Sequence, residues 1–305
     1  MIKAAILTGN GQHPDLPRLV QLLHDHPDVE LMAYADSAND EKRLDELYPS
    51  LKGETELSVT TKIDVAKTDV VFIAAEPETA RNFLLYTTLP EDIYIIDMSG
   101  QYKLPDEENR FVQGIPELNR KAMVRGAHYV AMPDAATTAV ALSLLPLAKN
   151  LLLNKPIHTQ IVSHDASAES NSLTARLLEE SVGSQLAAAL SSLQNSFNSD
   201  ITGVEFVGDT TEGLISVTTT EVGVDLEEIK RLYCDFYEDH NFTFIVDNIP
   251  DITDVRDTNK AFIHLDKKGD TLIVTSVLDT EFKGGAGNAV HAMNLLFGLI
   301  EKVGI

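Results

Sequence analysis

The sequence predicts an α/β protein that combines a Rossmann-like doubly wound parallel sheet with a second α+β domain whose sheet is mainly antiparallel. Short, continuous apolar runs alternate with helix patterns over the first half of the chain. Uninterrupted runs of this kind are typical of parallel strands covered on both faces. After about residue 150 the strands become longer and alternate apolar with polar residues, which is the pattern of a half-exposed antiparallel sheet.

The first half of the chain supplies the expected parallel strands. The first strand ends at Gly9, where a turn leads into a helix. The strands are rich in β-branched residues, and a long apolar helix closes this half. The expected strands are 2–7, 29–34, 69–75 and 93–96, with helices continuing over 19–24 and 138–153.

The second half supplies fewer helices between its longer strands. We expect strands at 205–207, 214–222, 261–265 and 271–278, and helices at 173–193, 226–237 and 286–303. Neither an internal repeat nor a low-complexity linker interrupts this pattern.

Composition narrows the classes of function. The 305 residues suggest about two domains, and a single cysteine excludes a disulfide framework. The formal charge of −23 argues against nucleic acid and anionic membranes, which bind dense Lys and Arg patches. The start of the chain lacks the pattern of a signal peptide, and no window holds eighteen uninterrupted apolar residues. We therefore expect a cytoplasmic protein.

Four ordered segments resemble one enzyme family. Residues 95–104 read IIDMSGQYKL, 114–120 read GIPELNR, 130–138 read VAMPDAATT and 283–295 read KGGAGNAVHAMNL. They are similar to I-D-L-S-x-D-[FY]-R-[LI], G-L-P-E-L-N-R, V-A-N-P-G-C-Y-A-T and K-G-A-[AS]-G-Q-A-V-x-N-M-N-L of the N-acetyl-gamma-glutamyl-phosphate reductases, relatives of aspartate-semialdehyde dehydrogenase. The resemblance implies that the last helix returns to the dinucleotide-binding domain. We therefore expect one domain to comprise 1–150 with 284–305, and the other 151–283.

The same resemblance implies that the catalytic groups of the family are missing. The family's nucleophilic cysteine aligns with Ala135, whereas the single cysteine of the chain is Cys234. The two family histidine positions fall approximately on Glu180 and Val182. The family's R-G-I, whose arginine favours an anionic substrate, reads Glu212-Gly-Leu here.

The dinucleotide signature is incomplete. Gly9 and Gly11 could serve the tight turn and the close approach to a pyrophosphate, but the third glycine is missing and Asp15 adds a negative charge. The alternative is a plain helix start capped by Asp and Pro, with no nucleotide. Asp36 could accept from a ribose 2'-OH and would repel a 2'-phosphate, which favours NAD over NADP, although it could also be an ordinary loop aspartate. The family motifs add Ser99 and Asn288 as further cofactor-binding candidates. Together these residues do not specify a cofactor, although they favour NAD over NADP.

New polar residues could replace the lost chemistry. Asp134, His164 and Asp165 lie on two loops that the resemblance places at the old active site, where they could transfer protons or bind a divalent metal. The alternative is that Asp134 caps the helix that follows it and that His164 and Asp165 form a solvated loop pair. We expect the alternative, and no metal site.

Two functions remain open from the sequence. The first is a catalytically defective paralogue that acts by association, with an active reductase or another arginine-pathway enzyme as its partner. The second is an NAD(P)-dependent semialdehyde dehydrogenase or reductase with atypical or relocated chemistry. In both cases we expect a homo-oligomer, most simply a dimer built through the second domain, because the resemblance implies that its sheet mediates subunit contact.

Overall fold

The structure, a computed structural model, describes residues 1–104, 110–164, 168, 172–209 and 213–305. These residues divide into two compact units, one comprising 1–133 with 286–305 and the other 134–285. Among them no helix is long and apolar enough to cross a membrane.

The first unit contains a six-stranded sheet in which every paired strand is parallel. Its order is β2-β1-β3-β4-β6-β5. The strands are β1 Ile2–Gly9, β2 Val29–Asp36, β3 Val70–Ile73, β4 Tyr94–Asp97, β5 Phe111–Gln113 and β6 Tyr129–Ala131. The helices are α1 Leu16–Asp25, α2 Leu44–Leu47, α3 Pro77–Tyr86, α4 Pro116–Arg125 and α8 Ala286–Leu296. This is the predicted doubly wound arrangement.

The core of the first unit forms because its central strands are apolar on both faces. All four residues of β3 are buried, and Val71, Ile73 and Ile95 share one cluster with Ala5. Helix α1 buries a leucine-rich stripe and begins with Pro17 in its first turn. Asp15 occupies its N-cap position, but its side chain makes no capping hydrogen bond, so the expected cap is wrong for this aspartate.

The last helix belongs to the first unit, as the resemblance implied, and packs against α1 and α4. It ends at Leu296 rather than near residue 303. The amide of Asn294 donates to the backbone oxygens of Glu301 and Val303 at 3.2 and 2.8 Å, which folds the terminal segment back as a turn. The apolar residues of that segment explain why the sequence alone suggested a longer helix.

The second unit contains a seven-stranded sheet of order β11-β12-β13-β10-β7-β9-β8. Four of its six strand pairs are antiparallel, and β7 with β9 and β11 with β12 are parallel. The strands are β7 Ile157–His164, β8 Leu173–Leu177, β9 Ile201–Gly208, β10 Leu214–Glu221, β11 Thr243–Ile245, β12 Ala261–Lys268 and β13 Thr271–Leu278. The helices are α5 Ala135–Lys149, α6 Glu180–Leu193 and α7 Leu226–Tyr237.

The prediction of one helix over residues 173–193 is partly wrong. Residues 173–177 form the edge strand β8, and α6 begins only at Glu180. Leu173 and Leu177 are four residues apart, a spacing that matches one face of a helix but also one face of a strand. The backbone pairing of β8 with β9, from Leu173 opposite Gly208 to Leu177 opposite Val204, decides for the strand.

The division between the units also differs from the expected one at residue 150. Helix α5 packs against α6, α7, β10 and β13, all in the second unit. The hydroxyl groups of Tyr233 and Tyr237 on α7 donate to the backbone oxygens of Ser143 and Leu142. Residues 136–148 of α5 are all buried, so no polar face indicates which unit the helix joins.

Candidate active site

The loop after β1 turns tightly through two glycines. Gly9 and Gly11 both have φ of +71°, the left-handed region that favours glycine. The amide of Gly11 donates to the Thr8 hydroxyl at 3.1 Å. A Cβ atom on Gly11 would lie 2.5 Å from Oδ2 of Asp36, so a larger residue would have to displace this carboxylate. The sequence correctly anticipated a tight turn here.

Asp36 ends β2 and is buried, with 1% of its surface exposed. Its carboxylate accepts from the Ala38 amide at 2.8 Å and from the Asn39 side chain at 2.7 Å. These bonds hold the carboxylate against Gly11 of the glycine loop. Its role in cofactor binding stays a prediction.

His13 is a residue whose part the sequence reasoning missed. Its Nδ1 accepts from the Asp15 amide at 3.3 Å, and its Nε2 lies 3.0 Å from the backbone oxygen of Met98, just beyond β4. A carbonyl oxygen only accepts, so Nε2 carries the proton in this arrangement. Burial lowers the pKa of His13, partly opposed by its bond to Met98 and by the charge of Glu76. The ring therefore joins the glycine loop to the end of β4 as a neutral group.

A cavity of about 310 Å³ opens beside this loop. Its lining includes the carboxylate of Asp36 and the hydroxyls of Tyr34 and Tyr48, which lie 2.7 Å apart. Burial raises the pKa of both tyrosines. The full lining is Gly11, Gln12, His13, Pro14, Leu16, Pro17, Tyr34, Asp36, Asn39, Leu47 and Tyr48. Because this lining holds a carboxylate and no lysine or arginine, it disfavours a phosphate.

Ser99 is engaged within its own turn. Its hydroxyl donates to Asp97 at 2.5 Å and accepts from the Gln101 amide at 3.1 Å. Asp97 is fully buried and also accepts from the amides of Ser99 and Tyr102. Burial raises the pKa of Asp97, with these hydrogen bonds opposing the shift. A cofactor contact from Ser99 would compete with this turn.

Asn288 lies on α8 and is also buried. Its side-chain amide donates to the backbone oxygen of Gly114 at 3.1 Å. This bond fixes α8 to the segment before α4, so the observed contact of Asn288 is structural.

The nucleophile position lies in the second unit. Asp134 is the N-cap of α5, and its Oδ1 accepts from the Thr137 amide at 2.7 Å. Ala135 is the first residue of the helix. A Cβ atom on Gly284 would come within 2.6 Å of the Ala135 methyl, so this methyl packs directly on the backbone of Gly284. Asp134 therefore makes the predicted helix cap.

The two family histidine positions carry no imidazole. Glu180 is exposed at the start of α6, whereas Val182 is buried in the same helix. Gln185, one turn further, is fully buried; its side-chain amide donates to the Ser181 backbone oxygen at 3.2 Å and lies 3.5 Å from Oδ2 of Asp134. Sequence reasoning missed Gln185, whose only signal is a polar residue at a core position of α6.

The structure describes only part of the group Asp134, His164 and Asp165, which could replace the lost catalytic residues. His164 ends β7, and its buried Nδ1 has no hydrogen-bond partner among the residues that the structure describes. Asp165 and Glu212 lie outside the described residues. Among the residues that the structure does describe, the one group of three potential metal ligands is His24, Asp25 and Glu54, which contains neither Asp134 nor His164.

Comparison with known proteins identifies the family. Residues 17–125 match the semialdehyde dehydrogenase NAD-binding domain, and residues 185–280 match the semialdehyde dehydrogenase dimerisation domain. The N-acetyl-gamma-glutamyl-phosphate reductase of Parabacteroides distasonis is 36% identical over 318 aligned positions, covering 100% of this chain and 98% of the relative. That of Bacteroides thetaiotaomicron is 35% identical with the same coverage.

Solved structures agree on the fold. Aspartate semialdehyde dehydrogenase II from Vibrio cholerae superposes with a TM-score of 0.74 at 12% identity, over 97% of this chain and 98% of that one. The Candida albicans aspartate semialdehyde dehydrogenase with NADP gives 0.73 at 13% identity, with the same coverage. The predicted fold class and the predicted family are confirmed. The chain belongs to the semialdehyde dehydrogenase family and, within it, to the N-acetyl-gamma-glutamyl-phosphate reductases.

Proposed function

We propose that this protein is a catalytically defective member of its family that acts by association rather than by reducing an acyl phosphate. The observation that carries the proposal is the methyl group of Ala135 at the position where the resemblance implies a thiolate, packed against Gly284. An alanine cannot form a thioester. The single cysteine, Cys234, is exposed on α7.

The remaining catalytic positions support the same proposal. Glu180 and Val182 supply no imidazole for acid-base chemistry on a thioester. Asp134 uses Oδ1 as a helix cap, which counts against relocated chemistry centred on that carboxylate. Loss of a nucleophile alone can lower turnover on the order of a million-fold in a protease.

The surface available for association lies on the second unit. Alternate residues of β10 are buried, including Ser216 and Thr218, whereas Ile215 and Val217 between them are half-exposed. We call this side of the sheet the open sheet face. Its half-exposed apolar residues are Val162, Val204, Phe206, Ile215, Val217 and Ile273. The strand register places Val162 between Ile215 and Phe206, whereas Gln160 lies between Val217 and Val204. Half-exposed apolar side chains grouped in this way mark interaction sites, and the dimerisation-domain match covers five of these six residues.

We propose that the open sheet face joins two copies of this chain, or one copy and a cysteine-bearing reductase of the same family. The chain would then keep the subunit association of its family but not the reaction that the family catalyses. A homodimer through this face is isologous, with each strand contributing the same residues to both sides.

The test combines an activity assay with a binding assay. We expect no phosphate-dependent oxidation of N-acetylglutamate semialdehyde by the purified chain, with the Parabacteroides distasonis relative as positive control. Co-expression with a cysteine-bearing reductase from the same genome, followed by native mass spectrometry, should give a mixed oligomer. Turnover comparable to that relative would overturn the catalytic part of the proposal. Exclusively homomeric species would overturn the part concerning the reductase partner.

A further inference from the structure

A cluster of three side chains at the end of α1 is unrelated to the glycine loop and to α5. His24 and Asp25 occupy the last two positions of α1, and Glu54 follows a short 3-10 helix, Pro49–Leu51. One ligand atom from each lies within 4.8 Å of one from each of the others. Nε2 of His24 and Oε2 of Glu54 are 3.3 Å apart.

We propose that His24, Asp25 and Glu54 form a binding site for a divalent transition-metal ion, with Zn²⁺ the best match. Two ligands of one tetrahedral Zn²⁺ with bonds of 2.0–2.1 Å lie about 3.3 Å apart. The separation of His24 Nε2 and Glu54 Oε2 already has this value. Asp25 supplies the second oxygen of a set of one nitrogen and two oxygens that lie within 4.8 Å of one another.

The ligand chemistry distinguishes this cluster from the other acidic groups of a chain with a charge of −23. An imidazole beside two carboxylates favours Zn²⁺ and similar ions over Mg²⁺ and Ca²⁺, which prefer oxygen ligands alone. The side chain of Gln21 donates to Oδ2 of Asp25 at 2.7 Å. Such a neighbour orients a carboxylate ligand, as hydrogen-bonding partners of metal ligands do elsewhere.

The position in the fold favours a cation and gives the site a structural effect. The carboxyl end of a helix carries a partial negative charge, which adds to the two carboxylates. Leu51 is fully buried and anchors the segment that leads to Glu54. A bound ion would tie this segment to α1 and stabilise the first unit.

Zinc titration of the untagged, chelator-treated full-length chain tests the site. Calorimetry and thermal unfolding with ZnCl₂ should show one saturable equivalent and a raised Tm, whereas MgCl₂ should give neither. Substitution H24Q or E54Q should weaken zinc binding by about tenfold or more, since loss of a group that merely orients a ligand already costs about that much. The control E91Q removes the same charge from an exposed position in the same unit and should leave the affinity unchanged.

A spectroscopic measurement reports the nitrogen ligand directly. Copper-loaded protein should show hyperfine coupling to one imidazole nitrogen that disappears in H24Q. Equal zinc affinity in H24Q and the unsubstituted chain, or no saturable binding at all, would overturn the proposal.

Discussion

The imidazole of His13 donates from Nε2 to the backbone oxygen of Met98 at 3.0 Å, across 85 positions of sequence. The acceptor follows β4 and the donor follows β1, so the contact links the carboxyl ends of two strands in the parallel sheet. That edge is where ligands bind in open α/β sheets. The imidazole of His13, held across this edge, leaves less room for a ligand beside the glycine loop.

The lowered pKa of His13 predicts a pH dependence of stability. The folded-state pKa lies below the unfolded value, so the unfolded chain binds more protons between the two values. The contribution of His13 is therefore complete above about pH 6.5, the unfolded value, and is lost as pH falls through the folded pKa. The variant H13Q keeps a donor for Met98 without titrating.

Denaturation at pH 7 and pH 5 measures this effect. H13Q should lose less unfolding free energy on acidification than the unsubstituted chain. H158Q, at an exposed histidine of β7, serves as the control for the change from histidine to glutamine. An identical pH dependence in H13Q and the unsubstituted chain would contradict the prediction.

Replacing Gly11 by alanine should lower the stability of the protein, because the new methyl group would clash with Asp36. G11A places an L-residue at φ +71° and a Cβ atom 2.5 Å from Oδ2 of Asp36. The backbone alone costs about 1–2 kcal/mol, and the contact adds to it. G298A has φ +67° and no atom within 4 Å of the new Cβ, so it isolates the backbone cost. G11A should lower Tm clearly more than G298A, and equal losses would show that Asp36 moves freely aside.

Nucleotide binding should be weak or absent and, where measurable, should prefer NAD to NADP. The family resemblance implies that the carboxylate of Asp36 would face a 2'-phosphate, and two unit charges 4 Å apart repel by about 4 kcal/mol near a surface. Calorimetry should therefore show a weaker affinity for NADP than for NAD, and D36S should raise the affinity for NADP relative to NAD. Micromolar NADP affinity in the unsubstituted chain is the result that would refute this.

The sequence predicted the parallel sheet and its glycine turn because both depend on local pattern. Buried β-branched runs specify β3 and β4, and a left-handed turn at Gly9 and Gly11 requires glycine. Contacts made only by tertiary packing were not predictable. The bond from His13 to Met98 depends on which strands become neighbours, and Gln185 faces Asp134 only once α6 packs on α5. The strand at 173–177 was missed because its leucine spacing suits either structure.

Restoring the thiol should not restore catalysis. A135C returns a sulfur to the first turn of α5, where helix amides favour a thiolate. However, Glu180 and Val182 still supply no imidazole for the acid-base step. We expect turnover of N-acetylglutamate semialdehyde to remain at least about a thousand-fold below that of the Parabacteroides distasonis relative, since groups that act as a unit are not recovered singly. Thiol alkylation followed by peptide mapping, which separates the new sulfur from that of exposed Cys234, verifies that the new sulfur is accessible. Family-like rates from this one change would show that the rest of the site is functional.

Assembly through the open sheet face should withstand high salt. A chain with a charge of −23 repels its copies, so persistent association requires apolar burial to outweigh that repulsion. Multi-angle light scattering at tens of micromolar protein should give a dimer at both 0.1 and 1 M NaCl, since ion pairs are screened by salt and apolar contact is not.

V217D, at a half-exposed position of β10, should weaken the dimer by a factor of at least about ten, because a carboxylate from each chain would lose its hydration in the interface. T202D carries the same charge to an exposed position of β9 at the margin of this face and should have a smaller effect. A species of 33.4 kDa, the mass of one chain, under these conditions would refute the dimer and remove the support for a function by association.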